Sequence, residues 1–144
     1  GSRNKAIKTK LLLTRCSKLM NYKGTIIAES LGGQSILHGV KILATEVEEV
    51  TERHKTPWLK QWTLHTVEIP EEKANEFAEK ISRSFDTNHP NWYIDYKNDT
   101  YHFIIFANKV FKVNLANPIL YKDAKAYGIS LGIPDYQLGF APEI

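Results

Sequence analysis

The chain has 144 residues, 42% hydrophobic and 24% charged, which is the size and balance of one globular domain able to close a single core. No apolar run approaches the roughly 18 residues of a membrane helix, and the Gly and Pro content fits neither collagen nor wholesale disorder. The one cysteine, Cys16, excludes an internal disulfide and no Cys/His cluster has zinc-finger spacing, so the expectation is a reducing, cytoplasmic setting without metal or cofactor.

The formal net charge of +3 invites a nucleic-acid reading until the charges are located. Residues 1–19 hold six cations (Arg3, Lys5, Lys8, Lys10, Arg15, Lys18) and no acid, which leaves 13 cations against all 16 acids in residues 20–144. The body is therefore acidic, at about −3, and duplex binding, which needs clustered Lys and Arg to displace counterions, is disfavoured. Gly1-Ser2 reads as a cloning remnant, and Met20, the only methionine, stands directly before the first strand-like run. The expected division is a basic leader or cloning-derived segment over 1–19 and a single α+β domain over 20–144.

Residues 22–31 are rich in β-branched side chains and end at Gly32-Gly33, predicting a first strand. The glycines lack the offsets and the lysine of a phosphate loop. Residues 39–50 alternate as a half-buried strand whose acidic end reads as a solvated edge. Residues 51–60, broken by Pro57, form a loop that carries Trp58 to a surface. A third strand follows over 61–69. Pro70, Glu71 and Glu72 open a helix over 70–85, with Ala74, Phe77, Ala78, Ile81 and Phe85 on one face.

Turn chemistry in 86–91 leads to three short strands, 92–96, 101–107 and 110–114, which read as an antiparallel meander. Taking Asn98-Asp99 and Asn108-Lys109 as the turn dipeptides pairs Asp95 with His102, Ile94 with Phe103, Phe106 with Phe111 and Ile104 with Val113. Both meander faces are then apolar, so helices should cover one and either a partner subunit or the C-terminal segment the other. Asn117-Pro118 opens a short helix expected to stop at Gly128, and the remainder reads as a packed irregular tail. The order β-β-β-α-β-β-β-α predicts an α+β fold with a mainly antiparallel sheet and two helices.

Two constellations could carry chemistry. Asp95 and His102 on one sheet face could form a dyad in which the carboxylate orients the imidazole as a general base. His65 would assist if its strand lay nearby. No nucleophile accompanies the dyad, and the competing reading is a cross-strand hydrogen bond with no catalytic role. The same three residues could also be read as a metal-like set, but the spacing is not that of a known metal motif. The second constellation is aromatic: Trp58, Trp62, Trp92 and Tyr93 are the candidate binding residues, against the plainer reading of core packing. The runs PWLKQWTLHTVEIP and WYIDYKND stand out but carry no recognised motif.

The leading expectation is a binding or protein-interaction module, a homodimer with a protein or small-molecule ligand. The alternative is a small hydrolase or transferase using Asp95, His102 and His65.

Overall fold

The computed structural model describes residues 20–140. Six strands form one sheet: β1 (Tyr22–Ile27), β2 (Lys41–Glu49), β3 (Gln61–Ile69), β4 (Tyr93–Lys97), β5 (Tyr101–Phe106) and β6 (Lys109–Asn114), in the spatial order β2-β3-β1-β4-β5-β6. Every neighbouring pair is antiparallel. Two helices, α1 (Ala74–Ser82) and α2 (Leu120–Ser130), complete the α+β fold. Among the described residues no helix is long and apolar enough to cross a membrane.

Strand β1 ends four residues earlier than the sequence predicts, because the chain turns into a short 3-10 segment, Ala28–Ser30. Ser30 Oγ donates back to the Ile27 carbonyl at 2.6 Å, a local side-chain bond that competes with strand continuation. The turn also serves β3. It aims Glu29 at that strand, where its carboxylate accepts from the Thr63 backbone N–H at 2.6 Å and the Thr63 hydroxyl at 2.8 Å.

Both hairpins of the meander are offset by two residues from the predicted register. Asn98 is the reason in the first: its Oδ1 accepts from the backbone N–H groups of Thr100 and Tyr101, each at 2.8 Å. This side-chain turn moves the tip to Asp99-Thr100. Asp95 therefore faces Ile104, and His102 faces Lys97. In the second hairpin Asn108 adopts the left-handed conformation at φ 59°, which asparagine tolerates, and the tip is Ala107-Asn108, so Ile104 faces Phe111 and His102 faces Val113. A slip of one residue would have exchanged the two faces, whereas a slip of two preserves them. Asp95 and His102 thus share a face as diagonal neighbours.

Each face has its own cover. On the first, Ala74, Phe77, Ala78 and Ile81 of α1 pack against Ile26, Val67, Ile69, Ile94, Tyr96, Phe103 and Ile105. The Tyr96 hydroxyl donates to the Ala74 carbonyl at 2.6 Å, tying β4 to the start of that helix. On the second, Tyr121 and Ala124 of α2, with Ile133, Leu138 and Phe140, cover Ile104, Phe106 and Val113. The C-terminal segment, and not a partner, fills this second face of the meander.

Helix α2 runs through Gly128, contrary to the expectation that it stops there. A Cβ at Gly128 would lie 2.7 Å from Leu138 Cδ2 and 3.3 Å from Phe106 Cε1, so this glycine is a packing site. The helix ends instead before Gly132, whose φ of +85° supplies the left-handed residue. Ile133 N–H bonds the Gly128 carbonyl at 3.1 Å, and Gly132 N–H bonds that of Ile129 at 2.9 Å, consistent with a glycine-terminated cap.

Candidate ligand-binding site

The joint between β1 and β4 bears the site on the sheet's second face. Thr25 and Ile27 of β1, Trp62 of β3, and Tyr93 and Asp95 of β4 surround a cavity of about 300 Å³. Trp92 just before β4, together with Ile133 and Gln137 from the C-terminal segment, completes its walls. A volume near 300 Å³ lies at the small end of ligand pockets.

The aromatic walls are held from outside. The Trp62 indole N–H donates to Thr56 Oγ1 at 2.9 Å, and its ring meets Trp92 at 5.3 Å and the edge of His54 at 4.3 Å. Tyr93 donates its hydroxyl proton to the Gln137 carbonyl at 2.6 Å. The tail is anchored in turn to the loop before β3: Tyr136 and Gln137 donate to the Arg53 carbonyl at 2.7 and 3.0 Å. The Trp92 indole N–H is buried without a hydrogen-bond partner among the described residues, at a cost of about 1–3 kcal/mol. Such unpaired groups in folded proteins ask for an explanation, and this one stands beside a cavity.

Asp95 is the cavity's charged wall, and it is held from behind. Its Oδ2 lies 2.7 Å from His102 Nε2, and His102 Nδ1 lies 2.7 Å from the Tyr121 hydroxyl. Burial, followed by the nearby Asp95 charge, raises the Tyr121 phenol above its ordinary range, so it stays a proton donor. The neutral tautomer that satisfies all three groups has Tyr121 O–H donating to Nδ1 and Nε2–H donating to the carboxylate. Burial also raises the phenol of Tyr93, and Asp95 adds to that shift. His102 is 1% exposed, whereas the Asp95 side chain is 35% exposed. The dyad is real in geometry but presents its carboxylate outward and keeps its imidazole inside.

Two expected groupings are corrected. His65 pairs with Ile26 across β1 and so lies on the α1 side of the sheet, with Nδ1 2.8 Å from Thr45 Oγ1. It therefore does not join Asp95 and His102, and the strand alternation is the reason. Among the described residues no three His, Cys, Asp or Glu side chains are gathered in a way that could hold a metal ion. Trp58 separates from the other aromatics: it is 40% exposed and stacks on His89 with centroids 3.7 Å apart. Trp62, Trp92 and Tyr93 do converge, and the two runs singled out in the sequence meet at this cavity. Thr25, Asn91, Ile133 and Gln137 carried no sequence signal, because their role depends on which strands adjoin and where the tail docks.

This is an α+β domain whose single sheet carries an aromatic, acid-based pocket on one face. Comparison of the chain with protein-family models, with curated proteins and with solved structures finds no match.

Proposed function

We propose that the protein acts by binding a small molecule in the cavity between β1, β4 and the C-terminal segment. The observation that supports this best is the convergence of Trp62, Trp92 and Tyr93 with one oriented carboxylate around a space of about 300 Å³. Apolar walls with a few fixed polar groups are the chemistry of ligand pockets. The hydrolase or transferase alternative is weaker, because a general base must reach its proton; His102 is sealed behind Asp95, and His65 lies on the opposite face. A carboxylate inside the cavity also opposes occupation by a nucleic-acid backbone.

A screen of small aromatic compounds followed through the tryptophan indole N–H resonances tests the reading. The Trp62 and Trp92 signals should move together while that of Trp58 stays in place, and Trp62→Ala should abolish the response. If no compound moves those two signals, or if Trp58 responds most, the cavity is not the binding site.

A homodimer and a reducing, cytoplasmic setting belong to the same proposal. With the meander covered from within, the surface that supports self-association is the free edge of β2, where Ile42, Leu43 and Val47 are exposed. Antiparallel pairing of two β2 strands about Thr45 would set Lys41 against Glu49 of the partner subunit, at both ends. Sedimentation at micromolar concentration should give a dimer, and Val47→Lys should dissociate it. A monomer in the unsubstituted protein would reject the pairing.

A further inference from the structure

We propose that the ligand of this cavity is an organic cation, a protonated amine carried on a compact apolar body. The inference rests on the cavity being a binding site and adds the charge of its occupant. Asp95 is the one charged residue among those lining the space. The Asp95 side chain is 35% exposed, so water solvates part of its carboxylate, but the part turned to the aromatic walls still calls for a partner. His102 satisfies only part of that demand: it engages Oδ2, and among the described residues Oδ1 has no donor. Lys23 and Lys97, which lie two residues along their strands from Thr25 and Asp95, form no ion pair with it among the described residues. The carboxylate therefore faces the cavity oriented by His102, with Oδ1 lacking a donor and no lysine or arginine paired to it among the described residues.

The walls favour the same charge. Trp62, Trp92 and Tyr93 present aromatic surface to the space, and aromatic faces attract cations through their quadrupoles, most strongly when water is excluded. The Tyr93 hydroxyl proton is already committed to the Gln137 carbonyl, so Tyr93 has no free donor for an anion and can offer a cation only its ring and an accepting oxygen. An ammonium group would then donate a charge-assisted hydrogen bond to Asp95 while its substituent lies between the aromatic side chains. The volume of about 300 Å³ suits a compact substituent of one or two rings.

Three probes of nearly one shape test the proposal by calorimetry: 2-phenylethylamine, its neutral counterpart 2-phenylethanol, and phenylacetate. The unsubstituted protein should bind the amine at least about tenfold more tightly than the alcohol and leave the carboxylate unbound. Asp95→Asn, which keeps the shape and an acceptor for His102, should erase the amine's advantage while the alcohol still binds. Equal affinity for amine and alcohol, or a preference that survives Asp95→Asn, would overturn the cationic ligand while leaving the pocket intact. Binding of none of the three, with the Trp62 and Trp92 resonances unmoved, would overturn the pocket reading as well. The series on the unsubstituted protein decides the matter even if Asp95→Asn fails to fold.

Discussion

Gly24→Ala is expected to destabilise the protein by about 3 kcal/mol or more, at the upper end of overpacking effects, and to lower its melting temperature by roughly 10 °C. In an ordinary strand the same change helps, because glycine inside a strand is unfavourable. Here the sign reverses. Gly24 pairs with Val67 on one side and Tyr96 on the other, and an added Cβ would run into the Asp95 carbonyl oxygen and lie 2.7 Å from Tyr96 Cβ. The carbonyl oxygen belongs to the backbone and cannot rotate away. Strand β1 alone joins β2 and β3 to the meander, so relief of the clash means parting the sheet at its middle. A variant that melts within about 2 °C of the parent, below the shift expected for 1 kcal/mol in a domain this size, would show that the strands approach less closely.

Alkaline solution should unfold the protein through its buried phenols. Burial raises Tyr96 far above its ordinary range, with Tyr22 adding to the effect, and burial with the Asp95 charge does the same for Tyr93. Tyr22 and Tyr121 are raised as well, chiefly by burial. A group whose folded pKa lies above its unfolded value of about 10 contributes its full stability below that value and loses it as pH rises toward the folded one. Each such phenol then costs about 1.4 kcal/mol per pH unit. By pH 12, Tyr93 and Tyr96 together remove about 5 kcal/mol, comparable with the whole stability of many domains. Tyrosinate absorbance and circular dichroism followed together should show these phenols ionising only as the fold is lost. Full ionisation of all seven tyrosines with circular dichroism unchanged would refute the expectation.

The parts of this architecture that local chemistry determines are legible in the sequence. Period-two alternation placed β3 to the residue and assigned every meander side chain to its proper face. Ala74, Phe77, Ala78 and Ile81 locate helix α1, but it spans Ala74–Ser82 and not the predicted 70–85: Glu71–Lys73 form a 3-10 turn, and Phe85 lies past the helix, bridged to Leu31. What escaped were features set by particular side-chain contacts. The Asn98 turn moved the first hairpin tip by one residue, and Gly128 looked like a helix stop because glycine marks both helix ends and tight packing. The site divided along the same line. Asp95 with His102, and Trp62 with Trp92 and Tyr93, stand out in the sequence as residues, but there they form two separate constellations. That they share one cavity depends on β1 lying between β3 and β4, an order that alternation along single strands does not encode.

The docking of the tail makes the cavity depend on a segment far away in sequence from its other walls. Its near walls come from residues 25–27, 62 and 91–95, its far wall from residues 133–137. Without the tail, Asp95 would face open water on the second face of the sheet. The pocket is closed only while Ile133 and Gln137 stay settled against it, where Tyr93 bonds the Gln137 carbonyl. The segment that closes the cavity is itself held in place at a distance, by the contacts of Tyr136 and Gln137 with the backbone carbonyl of Arg53.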